Sequence, residues 1–260
     1  MRPIDELGVA EACSLDGLLF DLDDTFLDHG RLTEAAYSAL FRLRESGLAT
    51  VAVTGRPAAW GAVIARQWPI VATLTENGTI AFWRKDHAVQ QADLGGAGER
   101  TERLAKLSLI VSTLRRELPE LEPTDDVEGR ISDFTFDIGE RHRVAESIVL
   151  RAIELAHRLG ARTRRSTVHL HLTLDGDDKA SGSVRLLARL TGVDPTAARF
   201  RYAFIGDSEN DESCFAAFHT TIAVSNLSGR PSVMPRFVTR QRLGAGFCEA
   251  AAVLIARRNA

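Results

Sequence analysis

The chain has 260 residues, of which 45% are hydrophobic and 26% charged, and its formal net charge at pH 7 is −3. This length suffices for one large domain or two modest ones with apolar cores. The small net charge gives no electrostatic reason to expect nucleic acid or an anionic membrane as a partner. No apolar stretch approaches the ~20 residues that a membrane span requires. Because the cysteines (Cys13, Cys214 and Cys248) are odd in number and widely spaced, we expect reduced thiols and a cytoplasmic protein.

The first part of the chain alternates short apolar runs, which predict buried strands, with segments of helical periodicity. The apolar runs lie at 18–21, 50–54 and 70–74, and helices are predicted over 33–46 and 57–67. A turn at Glu76-Asn77-Gly78 then leads into a further strand at 79–82. Strands that alternate with helices in this way are typical of an α/β fold.

The pattern changes near residue 84. A glycine-rich loop at 95–98 and a helix at 101–118 come first, and two strands at 131–138 and 168–174 then flank a helix at 144–159. In both strands polar and apolar residues alternate strictly, which is typical of strands with one covered face. We therefore predict domain boundaries near residues 84 and 175. An α+β domain at 84–174 would be inserted into a core built from 1–83 and 175–260.

After residue 175 the α/β pattern returns. Helices are predicted over 179–190, 209–217 and 245–256, and strands over 202–205, 221–224 and 237–239. We predict one doubly wound, Rossmann-like parallel sheet made from both ends of the chain.

Polar side chains follow several of the predicted strands of this sheet. Asp21-Leu22-Asp23-Asp24-Thr25 follows the first apolar run, Thr54-Gly55-Arg56 follows the second, and Gly206-Asp207 follows the strand ending at Ile205. Lys179 opens a helix just after the second domain boundary. In open α/β sheets, ligands bind outside the carboxyl ends of the strands. Since neighbouring carboxylates repel one another unless a cation or proton offsets them, we expect a cation-dependent site at this edge.

Together these motifs resemble the haloacid dehalogenase superfamily, in its magnesium-dependent phosphatase branch. The resemblance rests on Asp-x-Asp-x-Thr at 21–25, Thr54, Lys179 and Gly-Asp-x-x-x-Asp at 206–211, in that order. A cap of roughly ninety residues between the second and third motifs resembles type IIB. That branch includes the Cof-like sugar-phosphate phosphatases and the sucrose-, trehalose- and mannosylglycerate-phosphate phosphatases. One departure is Phe26, where the family often has an aliphatic residue; it predicts a differently shaped loop beyond Asp21.

The resemblance implies a Mg²⁺-dependent phosphatase that acts on a small phosphorylated metabolite, in particular a sugar phosphate, through an aspartyl-phosphate. Asp21 would be the nucleophile, and Asp23, protonated because of its acidic surroundings, the general acid and then base. Lys179 would neutralise the nucleophile and the phosphoryl group. Mg²⁺ would be held by Asp21, the backbone carbonyl of Asp23 and Asp207, with Asp211 either binding the ion directly or binding one of its ligands. The substrate or its phosphate would be held by Thr54, Gly55, Arg56 and Asn77.

Several readings of single residues stay open. Arg56 contacts substrate or forms a structural ion pair, with equal weight. Arg130 is a candidate for a second anionic group on the substrate. The cluster of Arg162, Arg164 and Arg165 indicates a solvated loop rather than a nucleic-acid surface.

The polar faces of the two alternating strands also allow two interpretations. These faces carry Asp133, Thr135, Asp137, His169, His171 and Thr173. They either look toward the core and its substrate or form the solvated side of an ordinary sheet, and the pattern slightly favours the solvated side. A transition-metal site at His169 and His171 is disfavoured, since no further ligand lies at a suitable spacing.

The function has rivals as well. A phosphomutase resembles the same architecture, and a catalytically silent ligand-binding module is a weaker alternative because every residue that catalysis needs is present. A dehalogenase would need neither Asp23 nor a metal. The sequence does not define the oligomeric state.

Overall fold

The computed structural model describes residues 1–96, 99–166 and 168–260. The strands are β1 (Arg2–Pro3), β2 (Gly17–Phe20), β3 (Ala49–Val53), β4 (Ala72–Thr75), β5 (Ile80–Lys85), β6 (Ala88–Asp93), β7 (Glu122–Pro123), β8 (Asp133–Asp137), β9 (Arg162–Arg165), β10 (His169–Thr173), β11 (Tyr202–Gly206), β12 (Thr220–Ala223) and β13 (Phe237–Val238). The helices are α1 (Val9–Ser14), α2 (Glu34–Glu45), α3 (Ala58–Gln67), α4 (Arg100–Glu117), α5 (Glu146–Arg158), α6 (Lys179–Thr191), α7 (Pro195–Arg201), α8 (Glu212–Ala217) and α9 (Leu243–Arg258). Of the predicted loop 95–98, Ala97 and Gly98 lie outside the described residues.

The larger sheet confirms the predicted α/β fold. Its strand order is β1-β13-β12-β11-β2-β3-β4-β5-β6, and all neighbours from β1 to β4 are parallel. The last two pairings, β4 with β5 and β5 with β6, are antiparallel. Because β11, β2 and β3 are adjacent, the segments that follow these three strands meet at one edge of the sheet.

Alternate residues of the central strands supply two apolar cores, one on each side of the sheet. Leu18 and Phe20 of β2 pack with α2 and α9 on one face of the sheet. Leu19 packs with α6, α7 and α8 on the other face. Both faces are therefore covered, which explains why these strands are continuously apolar. In the described parts of the chain, no helix combines the length and apolar character needed to cross a membrane.

The smaller sheet belongs to the inserted domain, and its order is β7-β8-β10-β9, all antiparallel. The helices α4 and α5 cover one side, where Phe136, Leu170 and Leu172 are fully buried. The cap therefore has its own hydrophobic core, and the polar side of its sheet is directed away from these helices.

The predicted boundary at residue 84 falls inside β5 and is corrected by the pairing of β6. Residues Ala88–Asp93 hydrogen-bond to β5 and form the outer strand of the core sheet rather than the start of the cap. An edge strand is covered less than a central one, so its polar sequence is typical of its position and does not mark a new domain. The second predicted boundary lies between β10, which ends at Thr173, and α6, which begins at Lys179.

Candidate active site

The strand-end residues lie together at the carboxyl edge of the core sheet. Asp21 directly follows β2, and its amide donates to the carbonyl of Ile205 on β11 at 3.0 Å. Thr54 directly follows β3, and its amide donates to the carbonyl of Leu74 on β4 at 2.8 Å. Asp207 directly follows β11. The sheet pairing thus brings three segments that are distant in sequence to one place.

Lys179 lies fully buried between two of the carboxylates. Its Nζ donates to Asp21 Oδ1 and to Asp211 Oδ1, both at 2.7 Å. The lysine is the first residue of α6, whose start is fixed by a capping box in which Asp178 and Ser181 each bind the other's backbone amide. Two donors of the ammonium group are therefore committed to carboxylates, one from each side of the site.

A close approach of two backbone segments determines where α6 begins. Gly78, with φ 109°, lies so near the helix start that a Cβ there would be 2.1 Å from the carbonyl of Asp178. A Cβ on Gly182 would in turn be 2.1 Å from the carbonyl of Gly78. Only glycine permits this contact at both positions. The 76–78 turn therefore packs directly against the start of the helix that carries Lys179 and fixes its position.

Asp211 is held by the loop that follows β11. Its Oδ2 accepts from the amides of Asp207 and Ser208 at 3.0 and 3.3 Å. The neighbouring Asp207 accepts from the hydroxyl of Thr25 at 3.1 Å. Thr25, the last residue of the opening motif, therefore orients an acidic side chain 182 positions away.

The carboxylates of Asp21, Asp207 and Asp211 form one buried cluster, with an oxygen of each within 4.8 Å of the others. Burial raises the pKa of Asp21 to about 7, with Lys179 opposing the shift and Asp211 adding to it. Burial and the charges of Asp21 and Asp211 raise the pKa of Asp207 to about 9. Burial disfavours the charge of Lys179, but these carboxylates outweigh it and raise its pKa.

This cluster fits a divalent cation. Its three carboxylates carry two more negative charges than Lys179 offsets, and all their oxygens are hard donors of the kind that Mg²⁺ prefers. The raised pKa values of Asp21 and Asp207 express the same charge imbalance. Asp21, Asp207 and Asp211 are the residues that could hold the ion.

The carboxylate of Asp23 lies outside this cluster and faces a cation instead. Arg56 binds it with two nearly parallel contacts, Nε to Oδ2 at 2.9 Å and Nη2 to Oδ1 at 2.6 Å. The guanidinium also lies 4.1 Å above the ring of Trp60. The predicted acidic surroundings of Asp23 are therefore only part of its environment: its charge contributes to the raised pKa of Asp21, but its direct partner is an arginine 33 residues away. Of the two predicted readings of Arg56, the structure has the ion pair.

The loop 54–56 is braced by the 76–78 turn. The Thr54 hydroxyl accepts from the Arg56 amide at 3.1 Å, and the carbonyl of Thr54 accepts from the Asn77 amide at 3.1 Å. Asn77 has a left-handed backbone, φ 54°, and its side-chain amide lies against Gly55, where a Cβ would be 3.2 Å from Oδ1. Thr54, Gly55, Arg56 and Asn77 are thus neighbours, as the prediction of a shared substrate-binding role requires.

Glu76 is a residue that the sequence analysis treated only as part of a turn. Its buried carboxylate accepts from the amides of Ala58, Ile131 and Ser132 at 2.9, 2.9 and 2.6 Å, and from the Ser132 hydroxyl at 2.5 Å. Burial and the charge of Asp133 raise the pKa of Glu76. The side chain therefore ties the cap to the start of α3. No local signal in the sequence could have identified it, since its partners lie 55 and 56 residues away.

Arg130 makes a second connection between the cap and the core. Its Nη1 donates to the carbonyl of Gly55 at 3.1 Å and to Asp133 Oδ1 at 2.9 Å. The side chain is almost fully buried and also pairs with Asp126. These contacts occupy the guanidinium that was a candidate for a second anionic group of the substrate.

The polar side of the cap sheet is covered rather than solvated. Thr135 and Asp137 are fully buried, and Asp133, His171 and Thr173 are less than one-tenth exposed. His171 Nδ1 lies 2.9 Å from the Thr135 hydroxyl and 3.3 Å from Asp133 Oδ2. The favoured interpretation of a solvated face is therefore wrong, because cap and core meet across it.

Phe26 does not shape the site. Its fully buried ring packs against Phe20, Trp68 and Phe247, with centroids 4.9 to 5.2 Å apart. The side chain points into the core, so the bulk of Phe26 is accommodated away from Asp21.

The chain has a doubly wound α/β core with strand-end carboxylates around a buried lysine, and an α+β cap interrupts this core. Residues 18–97 match the sequence model of the family described as haloacid dehalogenase-like hydrolase. This match covers 80 of the 260 residues, and its family is the one that the motifs resemble. No curated protein matches the chain in sequence.

Solved structures share the fold over nearly the whole chain. A protein of Thermoplasma acidophilum is 17% identical, with a TM-score of 0.74 and coverage of 94% of this chain and 98% of its own. The sucrose-phosphatase of Synechocystis, in complex with sucrose and phosphate, is 16% identical, with a TM-score of 0.67 and coverage of 92% and 98%. The C-terminal domain of trehalose-6-phosphate phosphatase from C. albicans is 12% identical, with a TM-score of 0.68 and coverage of 95% of both chains. These likenesses concern the fold, and they include the phosphatase groups named by the type IIB resemblance.

Proposed function

We propose that the protein is a Mg²⁺-dependent phosphatase that hydrolyses a small phosphorylated metabolite, a sugar phosphate or related compound, through an aspartyl-phosphate. The observation that carries this proposal is Lys179, buried between Asp21 and Asp211 beside Asp207. A phosphate monoester is a dianion and repels an attacking carboxylate. Neighbouring cations must therefore neutralise both the carboxylate and the phosphoryl group. The family match and the phosphatases among the structures of similar fold support the same reaction.

Asp21 serves as the nucleophile. Lys179 holds Oδ1 at 2.7 Å, which leaves the second carboxylate oxygen for attack on phosphorus. A bound Mg²⁺, held by Asp21, Asp207 and Asp211, would neutralise phosphoryl oxygens during the transfer. Lys179 and the loop at Thr54 hold the phosphoryl group against Asp21 while the bond to the leaving oxygen breaks.

Asp23 handles the protons. In its acid form it gives a proton to the departing oxygen; as a carboxylate it then takes one from the water that attacks the aspartyl-phosphate. Phosphate leaves and the Asp21 carboxylate is regenerated. Arg56 fixes the orientation of Asp23 through its paired contacts, and the half-exposed position of Asp23 gives its proton access to solvent.

The decisive experiment measures phosphate release from a panel of phosphorylated sugars, with Mg²⁺ and with chelator. We expect Mg²⁺-dependent turnover that Asp21→Asn lowers by about three orders of magnitude or more. Asp24→Asn is the matched control, because Asp24 is three residues further along, lies outside the carboxylate cluster and has a left-handed backbone that asparagine tolerates. Equal activity of Asp21→Asn and wild type would refute the proposal. Transfer of the phosphoryl group to a second hydroxyl, without net release, would favour a phosphomutase.

A further inference from the structure

Arg164 lies on the side of the cap sheet that faces the core. In the register of β9 and β10, Arg164 is opposite His171, and Arg165 is opposite Leu170. Opposed residues of an antiparallel pair share a face. Arg164 therefore shares the covered polar face with His171 and Thr135, whereas Arg165 lies on the helix side and pairs with Glu146 of α5. The predicted loop is therefore a strand, in which Arg162 and Arg165 are exposed as predicted and Arg164 is half-buried.

The charges on this face are unevenly compensated. Arg130 pairs with Asp133 and Asp126, and His171 contacts Asp133. Arg164, by contrast, donates to a backbone carbonyl, that of Asp177, at 3.0 Å, and no carboxylate of the described residues lies within ion-pair distance of it. Its neighbour Arg162 likewise donates to the carbonyl of Gly176 at 2.8 Å. Burial lowers the pKa of Arg164; the charge of the nearby Asp178 opposes this shift, and that of Arg162 adds to it.

Arg164 contacts the segment that leads from the cap into helix α6. The carbonyl it contacts belongs to Asp177, two residues before the catalytic Lys179. A guanidinium has five N–H donors in a planar fork, and this contact uses one of its terminal nitrogens. The remaining donors suit a planar carboxylate or a phosphate on a molecule that enters between cap and core.

Resting on the proposed phosphatase function, we propose that Arg164 is a specificity-determining residue that binds a second anionic group on the leaving part of the substrate. The preferred substrates are therefore phosphorylated sugar acids or sugar bisphosphates rather than neutral sugar phosphates. Arg164, a half-buried cation with no carboxylate within ion-pair distance, receives an anionic group from the substrate. Arg162, on the same face, adds to the positive potential.

The test compares kcat/KM for matched pairs: 6-phosphogluconate with glucose 6-phosphate, and fructose 1,6-bisphosphate with fructose 6-phosphate. We expect wild type to prefer the member with the second anionic group, and Arg164→Gln to lower kcat/KM for that member by about 10- to 100-fold. The values for the neutral members change by less than about threefold. If the enzyme prefers a carboxylate, the loss of kcat/KM appears with 6-phosphogluconate; if it prefers a second phosphate, the loss appears with fructose 1,6-bisphosphate. Arg164→Lys should retain more activity toward the bisphosphate than toward the planar carboxylate.

Arg165→Gln is the matched control, because it removes an arginine from the same strand on the opposite face. It should leave the preference unchanged. Equal losses of kcat/KM for both members of each pair would overturn the proposal. They would mean that Arg164 only stabilises the segment between β10 and α6 through the carbonyl of Asp177. No preference in wild type would overturn it as well.

A binding measurement separates this proposal from the phosphatase reaction. Calorimetry of the same pairs with Asp21→Asn, alone and combined with Arg164→Gln, reports the subsite without turnover. If hydrolysis fails but the Arg164-dependent preference in affinity persists, only the proposed reaction is refuted. If hydrolysis occurs and the affinity for both members is independent of Arg164, only the subsite is refuted.

Discussion

The carboxyl edge of the core sheet and the inner face of the cap are both polar and both largely buried, yet their charges are balanced differently. At the edge, three carboxylates surround one lysine, and the pKa values of Asp21 and Asp207 are raised. On the cap, Arg162 and Arg164 contact carbonyls instead of acids. An acidic site with too few cations is suited to a metal ion, and a basic face with too few acids is suited to an anion. Each half lacks a charge that a metal-bound phosphorylated acid would supply.

The two regions also differ in how they are held. The edge is assembled by the parallel sheet, whose strand ends coincide whatever the cap does. The inner face of the cap is held against the core by side chains that include Glu76 and Arg130. Loss of an edge residue should therefore affect chemistry and stability together, whereas loss of a connecting residue should loosen the cap and leave the edge assembled.

Removal of Lys179 should have the largest effect. Lys179→Met leaves Asp21 and Asp211 buried without their shared cation, and breaking such a pair costs about 3–5 kcal/mol of the free energy of unfolding. Phosphate release should fall by about three orders of magnitude or more. Urea unfolding at pH 7 and the phosphate assay check both effects.

Arg185→Met is the control for that experiment, because Arg185 is a half-exposed residue of the same helix that pairs with Asp177. Because Arg185 is half-exposed but Asp177 is buried, this variant should lose about 1–2 kcal/mol, clearly less than Lys179→Met. Similar losses in the two variants would mean that the charge of the buried cluster is not special.

The next largest effect should come from Glu76. Glu76→Ala leaves three backbone amides and the Ser132 hydroxyl without their acceptor. We expect a loss of about 2–3 kcal/mol in the free energy of unfolding, less than the sum of the four contacts, because water enters the space left by the side chain. Hydrogen exchange should accelerate at the amides of Ile131 and Ser132 while the amide of Asp21 stays protected.

Ser132→Ala removes one of the four donors and leaves the carboxylate with the other three. Its cost should be below about 1.5 kcal/mol. Exchange that accelerates equally at Asp21 and Ile131 in Glu76→Ala would contradict the separation between a sheet-built edge and a side-chain-held cap.

The sequence was sufficient to predict which residues meet at the carboxyl edge of the core sheet, because the rules that place them are local. Asp21, Thr54 and Asp207 each follow a continuous apolar run, and parallel strands place such positions at one edge. The position of Lys179 could not be predicted from strand ends, since it lies on a helix. It was predicted from the order of the four motifs along the chain.

The contacts between cap and core could not be predicted in the same way. The partner of Asp23 and the four donors to Glu76 come from segments far along the chain, and no periodicity encodes which ones meet. Strand β9 was missed because its helix-side residues, Thr163 and Arg165, are polar, so it lacks the alternation that revealed β8 and β10. The edge strand β6 was assigned to the cap for a related reason, since exposure made its sequence polar.

Binding of Mg²⁺ should produce the smallest of these effects, and its pH dependence tests the electrostatics of the edge. The folded-state pKa values of Asp21 and Asp207, about 7 and about 9, lie above the ordinary value of 3.8. Between pH 3.8 and about 9 the folded metal-free protein binds more protons than the unfolded chain, so its free energy of unfolding falls as the pH rises. A cation that binds the ionised carboxylates must displace those protons, and its affinity therefore rises with pH.

With Mg²⁺ at ten times its dissociation constant at pH 8, binding adds about 1.4 kcal/mol, which corresponds to a rise in Tm of about 3–6 °C. At pH 6 and the same Mg²⁺ concentration the rise should be about 1 °C or less. Asp207→Asn should abolish the difference between the two pH values, whereas Asp24→Asn, outside the cluster, should retain it. An equal rise in Tm at both pH values in wild type would mean that Mg²⁺ binds elsewhere than at the three buried carboxylates.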